Sequence, residues 1–228
     1  MKFKLVEKID ISKDIKTFIF EPQEKIAWQP GQYIHYVLDH PHPDDRKTER
    51  WFTVSNAPYQ GHPSITTRFA DQKGSSFKHA LENMAAGDTI EADGPKGKFV
   101  LEDPAKDYIF IAGGIGVTPF RSILLQLAHD KKPINVDLMY ANRDDNFIFD
   151  DEFQKIAGIN PNFRIHKFVS PKKIQEADIK AIASKLSDPE YYISGPEPMV
   201  EDFDKMLKAM DVAEDKIHTD YFPGYDTI

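Results

Sequence analysis

The hydrophobic period of the chain changes near residue 104, and that change restricts it to a two-part fold. Up to that point, short runs rich in β-branched and aromatic residues alternate with Gly/Pro turns: FKLVEKI, IKTFIFEP, YIHYVL, RWFTVS, SITTRF, DTIEADG and KFVL. Separated by turns at roughly 8 to 15 residues, they predict a small antiparallel barrel or sandwich. One amphipathic helix interrupts them at FKHALENM, with Ser75-Ser76 placed to cap it and Gly87 just beyond its end. After residue 104 the order is strand DYIFIAG, helix PFRSILLQLAHD, strand INVDLMYA, helix DDEFQKIA, strand FRIHKFV, helix EADIKAIASKL, strand YYISG, helix EPMVEDFDKMLKAM and a last short strand near KIHTDY. Such alternation predicts a parallel sheet with helices on both faces. The expected domains are an antiparallel β-barrel over residues 1–103 and an α/β domain over 104–228, hinged at Pro104.

Composition narrows the function classes. With 228 residues and 40% hydrophobic side chains, the chain can bury two cores of this size. A formal charge of -8 argues against a nucleic-acid partner, but single arginines and helix N-termini still bind phosphate in acidic proteins. Cysteine is absent, which excludes disulfides, thiolate metal sites, cysteine-held clusters and thiol chemistry in this polypeptide. The eight histidines show no metal spacing, and His35 and His79 read as surface or packing residues. MKFKLVEKID alternates like a strand rather than a signal peptide, and no apolar run approaches the ~20 residues that span a bilayer. A cytoplasmic protein without a membrane span is expected.

Three stretches carry chemistry. In AGGIGVTPF, Gly113, Gly114 and Gly116 follow a buried strand, Thr118 is placed to cap the next helix and Pro119 suits its first turn. Helix-terminal amides make such a turn a seat for pyrophosphate. The strict dinucleotide fingerprint is not met, because Pro119 replaces its third glycine, and a merely tight turn explains the glycines equally well. A second strand-to-helix turn, YYISGPEPMV, ends its strand at Ser194, and Gly195 and Pro196 shape the turn, with Met199 expected in the core. RWFTVS places an arginine and two hydroxyls in otherwise ordinary strand material, as a strand lying against a flat anionic ligand would need.

With these stretches in order, together with GDTIEADGPKGKFVL, the chain resembles the ferredoxin–NADP reductase-like superfamily of flavoprotein reductases over nearly its full length. The superfamily's barrel motif is Arg-x-Tyr-Ser-x-x-Ser. The resemblance implies that Arg50 binds the flavin phosphates, Phe52 packs on the isoalloxazine and Thr53 approaches flavin N5. The final serine of the motif falls on Asn56. Trp51 lies within the same cofactor-binding run, its side chain alternating away with Val54 to pack in the barrel. Because Phe52 and Thr53 alternate too, both meet the flavin only at the edge or end of the strand.

The resemblance further assigns Gly74, Ser75 and Ser76 to a second phosphate contact, and Thr66 and Arg68 to the flavin ring edge, although threonine is common in any strand. Gly114, Gly116, Val117 and Thr118 are implied at the pyrophosphate of the nicotinamide nucleotide, and Gly195 and Pro196 at the second turn. Arg143 suits a 2′-phosphate and so NADP, whereas Asp144 and Asp145 beside it suit a free ribose diol and so NAD. Ser194 stands where many relatives carry a cysteine against the nicotinamide, and Asp220 where relatives place an acid near the flavin. Thr53, Ser194 and Asp220 are thus the residues placed at the chemistry. Phe222 or Tyr225 is implied as an aromatic cover for the flavin, the plainer alternative being that the tail's rings pin it to the domain interface.

The implied activity is that of a flavin-dependent NAD(P)H reductase holding FAD. Hydride passes from NAD(P)H to flavin N5, and electrons go on to a separate acceptor such as a ferredoxin, a flavodoxin, a haem or cluster protein, or a small oxidant. Two other classes stand beside it: an electron-transfer subunit active only in a larger complex, and a non-catalytic nucleotide-binding regulator.

Overall fold

A computed structural model describes residues 1–69 and 74–222. It divides into two compact units, Met1–Val100 and Leu101–Ile228, the division falling just upstream of the expected Pro104 hinge.

The first unit is a six-stranded antiparallel sheet curled into a nearly closed barrel. Its strands are β1 (Lys2–Asp10), β2 (Ile15–Pro22), β3 (Tyr33–Val37), β4 (Glu49–Thr53), β5 (Ser64–Arg68) and β6 (Thr89–Lys96), with helix α1 (Ser76–Asn83) between β5 and β6. The order is β4-β3-β6-β1-β2-β5, and the ends of the two edge strands are drawn together where the Ser55 amide donates to the Ser64 carbonyl. Alternation turns Phe3, Leu5, Phe18, Phe20, Ile34, Tyr36 and Ile65 inward, where Phe77 and Leu81 of α1 meet them. KFVL, expected as a strand, is not one. The chain leaves the sheet after Lys96 through Gly97 at φ +102°, and Phe99 is buried outside any strand.

The second unit is a five-stranded parallel sheet in the order β11-β10-β7-β8-β9. Its elements are β7 (Tyr108–Gly113), α2 (Thr118–His129), β8 (Val136–Asn142), α3 (Asp150–Ile159), β9 (Phe163–Val169), α4 (Glu176–Ala183), β10 (Glu190–Pro196), α5 (Glu197–Ala209) and β11 (Ile217–Phe222). Both faces are covered, which is why β7 and β8 read as continuous apolar runs. Ile109 and Ile111 pack with α4 and α5, while Phe110 between them stacks on Phe120 of α2. The chain runs outward from β7 through β8 to β9, then returns to β10 on the other side. The β7/β10 boundary is therefore a topological switch point, whose carboxyl edge is where such sheets bind ligands. Among the described residues, no helix is long and apolar enough to cross a membrane.

Candidate functional site

Each unit gathers its own set of the implicated residues. In the barrel the set centres on Arg50, only 3% exposed. Its Nη1 donates to the carbonyls of Arg46, Lys47 and Glu49. Its Nη2 donates to both carboxylate oxygens of Asp44 at 2.6 Å and to Ser75 Oγ at 2.9 Å. The guanidinium carbon lies 5.7 Å from the centroid of the Phe77 ring. Nε, equally buried, has no partner. The Ser76 amide, at the start of α1, donates to Asp44 Oδ2 at 2.9 Å; Ser76 Oγ accepts from the Asp44 amide and lies 2.9 Å from His40 Nε2.

Ser75 occupies the cap position of α1 as expected, but its hydroxyl makes no capping bond, because it faces Arg50 instead. Gly74 adjoins this cluster and is half-buried, while residues 70–73 lie outside the described residues. A buried guanidinium and a helix-terminal amide converging on one carboxylate, with the Ser75 hydroxyl on the guanidinium, form an anion seat, and the leftover Nε is a donor that the carboxylate does not use. This donor set fits a flavin phosphate.

Around the seat, Phe52 points to the same side as Arg50. Its ring is 5.8 Å from Phe77 and 6.2 Å from Tyr36, packed on the barrel core. Trp51 does not pack in the barrel, contrary to expectation. Alternation places it on the outer face, 52% exposed and stacked on His35 at 4.6 Å, away from the Arg50 cluster. Thr53 is buried at the last position of β4, an edge strand, so the requirement that Phe52 and Thr53 share a ligand only at a strand's edge or end is met by the topology. On β5 the Thr66 hydroxyl pairs with Thr17 Oγ1 at 2.8 Å, and Arg68 Nε lies 3.2 Å from Asp14. Both side chains are engaged within the barrel.

In the α/β unit the two turns come together at the switch point. Residues Gly114–Val117 form a buried 3-10 turn leading into α2, with Gly114 at φ +52°. A Cβ on Gly116 would lie 2.2 Å from the Ser194 carbonyl oxygen; one on Gly113 would lie 2.4 Å from Met199 Sδ, and one on Gly195 2.8 Å from Met199 Cε. Gly116 is demanded by the approach of one turn to the backbone of the other, while at Gly113 and Gly195 the close atoms belong to the flexible end of Met199. Thr118 is not the cap: it is the first residue of α2, and its hydroxyl donates to the Ile115 carbonyl at 3.1 Å. Pro119 sits in the first turn as expected.

Ser194 pairs in register with Ala112 on one side and Asp220 on the other, which puts two of the implicated residues side by side at the carboxyl edge. Its Oγ is fully buried and has no hydrogen-bond partner. Pro196 pairs with Phe222 at the ends of β10 and β11. Only the backbone of Phe222 is described, and Tyr225 lies outside the described residues.

After β8, Arg143, Asp144 and Asp145 are exposed, and Asp144 Oδ1 accepts from the Asn146 amide at 3.0 Å. Arg121, in the first turn of α2, forms a two-pronged pair with Glu152 of α3 at 2.6 and 2.8 Å and lies 4.5 Å from the centroid of the Phe149 ring.

Sequence reasoning passed over Asp44 and His40, which complete the anion seat, because only the fold brings them to Arg50 and Ser76. It also passed over Asn142, buried at the end of β8 with Oδ1 unpartnered. Among the described residues no cluster could hold a metal ion.

Comparison with known proteins agrees with this division. Residues 2–101 match the oxidoreductase FAD-binding domain, and residues 110–205 match the oxidoreductase NAD-binding domain. A flavohemoprotein of Rhodopirellula baltica is 25% identical over 96% of this chain and 60% of its own length. The ferredoxin reductase component of a Rhodococcus rhodochrous 3-ketosteroid-9-alpha-monooxygenase is 27% identical over 94% of this chain and 62% of its own. The chain thus spans about three-fifths of these relatives. Among solved structures, the ferredoxin-NADP+ reductase of Plasmodium falciparum superposes with a TM-score of 0.80 at 20% identity, covering 97% of this chain and 95% of that one.

Proposed function

Because this chain belongs to the ferredoxin–NADP reductase-like superfamily of NAD(P)H flavoprotein oxidoreductases, we infer that it is an FAD-dependent NAD(P)H reductase delivering electrons to a separate redox component. The observation that carries the reading is the pairing of an FAD-binding and an NAD-binding oxidoreductase domain in one chain.

When bound, FAD supplies a two-electron hydride acceptor able to release its electrons singly. The chain's own task is positioning and exclusion of water. Arg50, Ser75 and the Ser76 amide bind phosphate; Phe52 and Thr53 bound the ring at the end of β4. The 114–118 turn and the Gly195-Pro196 turn receive the nicotinamide nucleotide, and the Ser194 hydroxyl meets its reactive end. Hydride transfer needs no protein nucleophile, so serine serves at this position as well as cysteine.

The purified chain, loaded with FAD and mixed anaerobically with NADPH and NADH in parallel, should lose its yellow absorbance with at least one of them. It should then regain it on addition of a ferredoxin, a flavodoxin or a ferric chelate. A flavin that stays oxidised with both nucleotides would sink the reading. A second reading, a subunit working only inside a larger assembly, is favoured by one observation: a relative of this chain is itself a component of a monooxygenase system. Reduction by nucleotide without turnover on any free acceptor would select it.

A further inference from the structure

The anion seat already contains an anion from the chain itself. Asp44 presents two carboxylate oxygens to Arg50 Nη2 and one of them to the amide at the N-terminus of α1, which is how a bound phosphate group is held. We propose that Asp44 is a displaceable internal anion, whose carboxylate holds the seat formed by Arg50, Ser75 and Ser76 in the flavin-free protein and leaves it when a flavin phosphate enters. The proposal rests on reading that seat as the flavin phosphate site.

Three observations bear on it. Burial pushes the Asp44 carboxyl up, but the hydrogen bonds from Arg50 and Ser76 outweigh burial and hold it well below the usual carboxylate range. At neutral pH it is therefore charged, and a phosphate cannot share the same donors against that charge. Next, the segment bearing it is held by bonds within its own loop and by bonds to the seat itself, from Arg50 Nη1 to the Arg46 and Lys47 carbonyls and between Asp44 and Ser76. The Arg46 amide donates to Asp44 Oδ1 at 3.0 Å and the Lys47 amide to the Asp44 carbonyl at 2.9 Å. His42 and Lys47, on either side of it, sit at φ +55° and +58°, a left-handed backbone uncommon for residues other than glycine. Finally, the buried Nε of Arg50 is left without a partner while the carboxylate occupies Nη2, whereas a pyrophosphate, with two free oxygens on each phosphorus, can serve both.

The test measures affinities of the flavin-free full chain for FAD, FMN and riboflavin by flavin fluorescence, in the parent and in Asp44→Ala and Asp44→Asn. FAD and FMN should tighten about tenfold in both variants, the size of one lost charge-assisted competitor. Riboflavin, which lacks phosphate, should not change. In the parent, hydrogen exchange should speed up at the amides of Arg46 and Lys47 on adding FMN, although ligands normally slow exchange. Unchanged or weaker FAD binding in the variants, or slower exchange at those amides, would overturn the proposal, since Asp44 would then be holding Arg50 in the loaded protein. Failure of the underlying reading looks different: the parent would bind FAD and riboflavin equally well, and Arg50→Ala would leave their ratio unchanged.

Discussion

The hydroxyl of Ser194 is fully buried and bonded to nothing, a state that costs a folded protein about 1–3 kcal/mol. Removing it should relieve that cost and, on the proposed function, remove a contact with the nucleotide, so the effects on stability and on activity have opposite signs. Ser194→Ala should melt at the same temperature as the parent or higher, and should reduce bound flavin with NAD(P)H about tenfold or more slowly. A variant that melts lower and reacts at the parental rate would show the hydroxyl to be structural. Legibility at this scale followed chain distance. Arg50, Ser75, Ser76 and Ser194 announce themselves because each breaks a local apolar pattern or opens a helix. Asp44 sits in a polar loop where an aspartate is unremarkable, and its meeting with Ser76 depends on the whole barrel.

Strands β8 and β9 are tied at their amino ends by Asp137, which is almost wholly buried. It accepts two bonds from Arg164, at 2.9 and 2.6 Å, and lies 2.7 Å from His166. Burial pushes this carboxyl up, yet the hydrogen bonds from His166 and Arg164 prevail and its pKa is lowered. A carboxyl depressed on folding contributes stability above its unfolded value and loses it as pH falls through the folded one. Asp137→Asn should therefore cost about 2 kcal/mol at neutral pH, with the gap to the parent closing below about pH 4. Urea titrations at several pH values would show it; a gap constant down to pH 2 would refute it. Most elements were readable: the bounds of β2 and β9 coincide with their apolar runs. KFVL failed because its pattern reports a single buried ring, Phe99, and a glycine in left-handed backbone ends the ladder before it. Pattern marks burial, and pairing has to be argued from turns.

At the scale of the molecule, each unit owns a hydrophobic core, one built around Phe3, Phe18, Phe20 and Tyr36 and the other around Ile109, Ile111, Ile193 and Leu207. Calorimetry should resolve two components, and FAD at about a hundredfold over its dissociation constant should stabilise the barrel component by roughly 2.7 kcal/mol, raising it by several degrees. If the component belonging to the α/β unit moved as far under FAD alone, the assignment of the flavin to the barrel would be wrong. The change of period near residue 104 carried this two-part plan, while the pairing of the two turns at the switch point was invisible until strand order was known. That pairing has a consequence for descent. Gly116 is required by neighbouring backbone, the Ser194 carbonyl and Gly195 Cα leaving no room for a side chain, whereas Gly113 and Gly195 face only the movable end of Met199 at closest approach. A lineage that lost the proposed activity would still inherit Gly116, because any side chain there would push the two turns apart. Arg50, Asp44 and Ser194 would drift first. Among distant descendants of this fold, Gly116 would record ancestry, and on the proposed function the arginine and the buried serine would record whether ligands are still held.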